Sequence, residues 1–263
     1  PDILIGRFSA ETVGQVEAQV LRSVEYEKRP QSGGEWYHKG MGVASNQGPG
    51  DDGEYDNVHI DRIRDDLLGF TYTFVDQIYD YSGTAAMVTA GLNEGRGIIN
   101  YTGHGSSTSW GSTGFSNTHV NALVNDNMLP FICSVACVNG NFTSSTCFAE
   151  AWLRATNSGT GAPTGAIATY MSSINQSWDP PMEAEDESVD LAALRYNLET
   201  YAQTQLHGYM AIGSNGENKS LTEKEKLLVL ETVVQHKGRD QVVMAGATYD
   251  AQRDTERFIK NAA

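Results

Sequence analysis

The chain repeats one pattern: a short apolar run rich in β-branched and aromatic residues, a polar turn, then a longer amphipathic stretch. Met41 to Ser45, Thr71 to Tyr79, Gly97 to Thr102, Leu129 to Ala136 and Gly165 to Ser172 read as strands. Between and before them, Ser9 to Lys28, Val58 to Leu68, Thr84 to Asn93, Thr118 to Leu123 and Cys147 to Ala155 read as helices. Ser9 is the expected cap of the first helix, with Glu11 in its first turn and Val13, Val16, Val20 and Leu21 facing inward. Strands alternating with helices imply an α/β fold, a parallel sheet with helices on both faces. In such sheets reactive groups collect beyond the carboxyl ends of the strands. The expected strand tips carry, in order, the acidic loop 51–56, His104, Cys137 and Trp178.

Charge narrows the function. The formal charge of −15 over 263 residues argues against nucleic acid as a partner, because phosphate binding needs clustered Lys and Arg. It would instead attract basic peptides. No window reaches the run of about 18 apolar residues that a membrane span needs. No basic-then-apolar leader opens the chain at Pro1, so localisation has to be argued indirectly. The acidity is uneven: residues 1–187 hold 9 Lys and Arg against 23 Asp and Glu, whereas residues 188–263 hold 9 against 10. That step suggests two differently selected segments.

The three cysteines, Cys133, Cys137 and Cys147, do not read as a disulfide framework, and an odd number leaves one thiol free in a monomer. No His pair lies near them at zinc-ligand spacing. A cysteine peptidase needs a thiolate, an imidazole to shuttle a proton, and backbone N–H donors for the oxyanion. His104 lies between glycines, which leaves the Gly105 amide able to face a substrate carbonyl. Cys137 follows a strand, so its sulfur can project into the crevice with its own amide as second donor. Alone, Cys137 would read as a small buried hydrophobe and His104 as a turn residue; the pair at successive strand tips shifts the balance to chemistry. Cys133, inside a strand, and Cys147, opening a helix, read as packing.

Four blocks carry a resemblance. Asn100-Tyr101-Thr102-Gly103-His104-Gly105-Ser106 comes first, and Leu129-Pro130-Phe131-Ile132 leads on to Val135-Ala136-Cys137-Val138-Asn139-Gly140. Cys147-Phe148-Ala149-Glu150-Ala151 and Ile174-Asn175-Gln176-Ser177-Trp178 follow. In order and spacing they resemble the gingipain family of clan CD cysteine peptidases over residues 1–187. The resemblance implies a caspase-like sheet, Cys137 as nucleophile, His104 as general acid/base, and the amides of Gly105 and Cys137 as oxyanion hole. It also implies that Asp56 binds the basic side chain of a peptide substrate, while Trp178 and Met182 cover that pocket, in the manner of the arginine-specific branch more than the lysine-specific one. The chemistry agrees, since a guanidinium in a pocket needs a carboxylate and an indole can stack on it. Read without the resemblance, Asp56 is a solvated loop carboxylate, or a calcium ligand with Asp51, Asp52 and Glu54. Gln47 stands where arginine-specific members place a glutamate to orient the histidine; an amide can hold an imidazole but cannot stabilise an imidazolium by charge. The family implies a secreted or bacterial surface location and a frequent structural calcium, with no cofactor required for the reaction.

From about Val189 the grammar changes. A helix from Val189 to Gln203, a strand from His207 to Ile212, a helix over residues 221–237, a strand from Gln241 to Ala245 and a helix from Asp250 to Asn261 follow one another. The second helix offers two capping boxes, Ser220 to Glu223 or Thr222 to Glu225. This α-β-α-β-α order is that of a (β/α)8 barrel. Asp190-Leu191, the loop Gly213 to Glu217, and Leu221-Thr222-Glu223-Lys224-Glu225-Lys226 resemble the dihydrodipicolinate synthase and N-acetylneuraminate lyase family. Ser214 and Asn215 match its substrate loop, but only about three of eight barrel units are present. The expected organisation is therefore a peptidase domain over 1–187, lacking the family's terminal helices and last strand, and a partial barrel over 188–263. Three functions follow: a peptidase, a catalytically inactive binding module, and an aldolase fragment. The strands that would carry a Schiff-base lysine and its tyrosine lie beyond the sequence, so incubation with pyruvate and borohydride should leave no covalent adduct by mass spectrometry.

Overall fold

The structure is a computed structural model that describes residues 7–50, 53–143, 145–178, 181–182, 191–203, 207–212, 221–246 and 252–262. The chain divides into two compact units, Pro1–Asp186 and Glu187–Ala263. In the first, five strands pair in parallel: β1 (Lys39–Ala44), β2 (Phe74–Tyr79), β3 (Ile98–Thr102), β6 (Phe131–Val135) and β7 (Ala168–Met171), in the order β2-β1-β3-β6-β7. A short hairpin, β4 (Gly105–Ser106) with β5 (Ser109–Trp110), follows β3. It lies in a stretch that sequence reasoning treats only as polar.

Side chains alternate across the sheet, as the pleat requires. On one face Met41, Val43, Ile99, Tyr101 and Ile132 join a core with Trp110, Phe115, Phe148 and Trp152. Helices α3 (Ala85–Glu94), α4 (Asn117–Val120) and α5 (Phe148–Arg154) contribute to that core. On the other face Ala44 meets Ile60 and Ile63 of α2 (Asp56–Phe70). A Cβ at Gly42 would lie 2.5 Å from Ile60 Cγ2, so the absence of a side chain there lets α2 approach.

Most elements lie within a few residues of their expected bounds, and Thr84 caps α3 by accepting from Met87 N–H. The first helix differs. It is α1 (Val13–Lys28), capped by Thr12 in a reciprocal box with Gln15, while Ser9 donates to Glu150 instead. Its buried residues are Gln19 and Arg22, whereas Val13, Val16, Val20 and Leu21 are exposed. The cause is hydrogen bonding. Arg22 donates to the carbonyls of Trp152, Ala155 and Ala166 at 3.1, 2.6 and 2.8 Å, capping the end of α5, and burial lowers its pKa to about 10. Three charge-assisted hydrogen bonds to buried carbonyls outweigh the apolar stripe.

The second unit contains α6 (Leu191–Ala202), β8 (Gly208–Ala211), α7 (Glu223–His236), β9 (Val242–Ala245) and α8 (Gln252–Ala262). Strands β8 and β9 pair in parallel, and Leu198, Ala211, Ile212, Leu230, Val233 and Phe258 form their own core. Of the two expected capping boxes, Thr222 with Glu225 forms, and Ser220 of the other lies outside the described residues. Asp190, Ser214, Asn215 and the Gly213–Glu217 loop lie outside the described residues.

At the start of β3, Arg96 is 2% exposed. Asp76 of β2 grips it through Nε (2.6 Å) and one terminal nitrogen (3.2 Å), and Glu94 and the Gly95 carbonyl complete its shell. Removing one partner of a buried ion pair is costly, and Glu94 offsets only part of the loss. Asp76→Ala should therefore lower unfolding stability by about 2–3 kcal/mol, read as a shifted urea midpoint.

Candidate active site

The parallel ladders set the strand ends level. Ala44 pairs with both Tyr79 and Thr102, and Thr102 with Val135. Beyond them the ladder continues by one bond each: Ser45 N–H to Thr102 O (2.9 Å), Asp80 N–H to Ala44 O (3.0 Å) and Gly103 N–H to Val135 O (3.1 Å). Ser45, Gly103-His104 and Ala136-Cys137 thus leave the sheet side by side.

Both glycines around His104 answer to close approach. A Cβ at Gly103 would fall 2.8 Å from Tyr101 Oη and 3.1 Å from Ser45 Cβ. A Cβ at Gly105 would fall 2.8 Å from Ala136 Cβ and 2.9 Å from both Asn139 Nδ2 and Cys137 O. The His104 carbonyl accepts from Tyr101 Oη at 2.6 Å and from Gly111 N–H at 2.7 Å, which fixes the backbone while leaving the ring exposed. The imidazole meets the Trp178 indole edge-on, with centroids 5.1 Å apart.

Cys137 is half-buried, and its Sγ lies 3.7 Å from the Gln176 carbonyl. His104 and Cys137 line one cleft with Gly103, Ala136, Gln176 and Trp178. The residue after the thiol, Val138, sits at φ 53°, a region that β-branched side chains avoid. Its N–H donates to Ile174 O at 3.0 Å and its carbonyl accepts from Asn141 N–H at 3.0 Å. The other two cysteines are buried, and burial pushes the Cys147 thiol pKa up, away from reactivity.

Asp56 is not in a loop; it is the first residue of α2 and fully buried. One carboxylate oxygen accepts from Trp178 Nε1 at 2.6 Å and the other from Ser45 Oγ. Its N–H donates to Gln47 O at 2.9 Å. Burial raises its pKa, the hydrogen bonds from Ser45 and Trp178 and the nearby His104 pull it down, and Asp80 adds a smaller upward push. Met182 is buried, and its N–H donates to Trp178 O at 3.0 Å. A Cβ at Gly50 would come within 2.5 Å of Met182 Sδ and 3.2 Å of Trp178 Cβ. Asp56, Trp178 and Met182 are therefore assembled together beside His104.

Gln47 contributes backbone: its N–H donates to Ser45 Oγ at 3.0 Å, its carbonyl holds Asp56, and its side chain is exposed. Glu54 turns inward to pair with Arg62 and lies 3.8 Å from His59 Nδ1. Asp51 and Asp52, the other expected calcium ligands, lie outside the described residues. Among the described residues no cluster of three His, Cys, Asp or Glu side chains is arranged to hold a metal. Sequence reasoning overlooked Ser45 and Tyr101. Applying the strand-tip rule to β1 itself points to Ser45, whereas no local signal marks a tyrosine that bonds a carbonyl three residues on.

The profile of peptidase family C25 matches residues 1–233, which runs past the division between the two units. Gingipain R2 of Porphyromonas gingivalis is 37% identical over 238 residues, 88% of this chain, and the chain spans 32% of that protein's length. The solved structure of the Arg-specific cysteine proteinase gingipain R superposes with a TM-score of 0.67 at 42% identity, covering 69% of this chain and 42% of that one. A 4-hydroxy-tetrahydrodipicolinate synthase of Legionella pneumophila is 35% identical over 77 residues, 29% of this chain and 27% of that enzyme. The five-stranded parallel sheet fits the gingipain architecture.

The raised pKa of Asp56 has a fixed sign. A carboxyl that binds its proton more tightly when folded favours the fold below its ordinary value of 3.8, and that contribution is lost as pH rises through the folded value. Asp56→Asn should therefore lack this loss of stability above about pH 4. Paired thermal melts from pH 3.5 to 7 check it, with the variant gaining on wild type as pH rises.

Proposed function

The chain belongs to peptidase family C25, and from that membership we propose that it is a cysteine endopeptidase cleaving after basic residues, arginine before lysine. The observation that carries the reading is the single cleft shared by His104 and Cys137, with the buried Asp56 carboxylate reached through Trp178 at its side. In this reading His104 takes the proton from Cys137 Sγ, and the thiolate attacks the scissile carbonyl. The N–H groups of Gly105 and Cys137 receive the oxyanion. His104 then protonates the departing amine, leaving a Cys137 thioester that water hydrolyses, with His104 as base. The reaction consumes only peptide and water; calcium has no part in it.

Specificity comes from Asp56. A guanidinium has two N–H donors in the fork that a carboxylate accepts. To reach it, the substrate has to displace the Trp178 Nε1 hydrogen bond, after which the freed indole can lie over the cation. Replacing a neutral donor with a cation suits a buried carboxylate that here accepts from the neutral Ser45 and Trp178. Lysine offers a point charge instead of a fork, hence the preference for arginine.

Residues 188–263 take no step in this chemistry. We read them as a partial-barrel segment, supported by the parallel β8–β9 pair between helices and by the 77-residue likeness to the synthase. A secreted or bacterial surface location belongs to the same proposal, on the likeness to gingipains. No helix among the described residues is long and apolar enough to cross a membrane. One observation favours an inactive binding module: the exposed Gln47 side chain makes no hydrogen bond to His104, and so does nothing to orient it.

Hydrolysis of small Arg- and Lys-amide substrates under reducing conditions decides between them. Wild type should cleave the Arg substrate, Cys137→Ala should lose on the order of 10⁴-fold or more in kcat, and Asp56→Asn should lose about 100-fold in kcat/KM. A folded but inert wild type would leave the binding-module reading in its place.

A further inference from the structure

The two amides proposed to receive the oxyanion belong to different segments, Gly105 to the β4–β5 hairpin and Cys137 to the turn after β6. Their separation is a tertiary quantity. We infer that Asn139 is the positioning residue that sets it, an inference that rests on the peptidase reading above.

Asn139 lies two residues beyond the thiol and is fully buried. Its Nδ2 donates to Ser106 O at 2.6 Å and to Ser109 O at 3.1 Å, one carbonyl from each strand of the hairpin. Its Oδ1 accepts from Ser134 Oγ at 3.1 Å, and Ser134 Oγ in turn accepts from Trp110 Nε1 at 2.9 Å. Its carbonyl accepts from Ala149 N–H at 3.0 Å at the start of α5. One side chain thus ties the segment after His104, the strand before Cys137 and the turn after it.

The residue type is dictated. Two carbonyls need two N–H donors and the serine hydroxyl needs an acceptor, a set that an amide supplies and a carboxylate does not. The length is dictated too, since Nδ2 lies 2.9 Å from where a Gly105 Cβ would be. Val138, between the thiol and this clamp, is held at φ 53°. Such strain persists only where the surroundings over-determine it, and here the clamp is part of what does so.

The test uses the full chain with Asn139→Ala, Asn139→Asp and Ser134→Ala. Four quantities are measured: kcat and KM on an Arg-amide substrate, the inhibition constant of an arginyl peptide aldehyde, the rate of Cys137 alkylation by iodoacetamide, and Tm. The aldehyde adds Cys137 Sγ to its carbonyl carbon and places the resulting oxygen in the oxyanion hole; iodoacetamide needs only the sulfur. Folded Asn139→Ala should lose on the order of 100-fold in kcat with KM within about threefold. Aldehyde affinity should fall in parallel while alkylation stays within about threefold of wild type. Asn139→Asp should behave like the alanine variant, and Ser134→Ala should show the same pattern at smaller size. A folded Asn139→Ala with wild-type kcat overturns the inference, as does a kcat loss matched by an equal loss of alkylation. If both Asn139 variants fail to fold, unchanged kcat and aldehyde affinity in Ser134→Ala overturn it. An inert wild type sinks the peptidase reading and this inference together; an active wild type with indifferent variants sinks this one alone.

Discussion

The arrangement depends on the register of three parallel strands. Because β1, β3 and β6 end level, hydrogen-bonded one residue past their formal ends, Ser45, His104 and Cys137 emerge as neighbours from segments far apart in sequence. No side-chain contact is needed to achieve that proximity. The ladder bonds are individually worth about 1 kcal/mol, but they act together, and a slip of one residue would reverse the face of every side chain on a strand.

What the ladder does not fix, a buried aromatic cluster does. Tyr101 stacks on Trp110 at 4.7 Å, and Trp152 and Phe148 pack around the indole at 5.9 and 5.3 Å. This aromatic group pins β5 beneath the sheet and so anchors the hairpin that begins at Gly105. Two polar groups inside it are bonded rather than excluded: Tyr101 Oη donates to the His104 carbonyl and Trp110 Nε1 to Ser134 Oγ. Apolar burial gives the hairpin its depth, and the hydrogen bonds give it its angle.

Much of this was legible in the sequence, for physical reasons that can be named. Alternating strand and helix patterns, with strand tips carrying His104, Cys137 and Trp178, are local signals, and the sheet has the parallel form they imply. The inversion of α1 was not legible. Its valines and Leu21 form the apolar stripe that periodicity would bury, but the carbonyls that recruit Arg22 belong to residues more than a hundred positions away. Asp56 illustrates the same limit at the site. Its neighbours in sequence suggest a solvated acidic loop, while its actual partners are Ser45, eleven residues earlier at the end of β1, and Trp178, beyond β7. The β4–β5 hairpin escaped notice because two-residue strands carry no periodicity.

The level strand ends also determine where the chain tolerates a change in length. Between Val135 and Asn139 four of the five residues have an assigned place: a ladder carbonyl, a thiol, a left-handed turn and a clamp. One insertion there would displace the thiol from its amide and the clamp from its hairpin at once. Past Asn141 the exposed Phe142, Thr143, Ser145 and Thr146 come before Cys147 at the start of α5, and the ladder does not constrain the length there. Natural variation within this architecture should therefore be rigid in spacing on the near side of Asn139 and elastic on the far side, so that surface loops can diverge while the cleft keeps its dimensions.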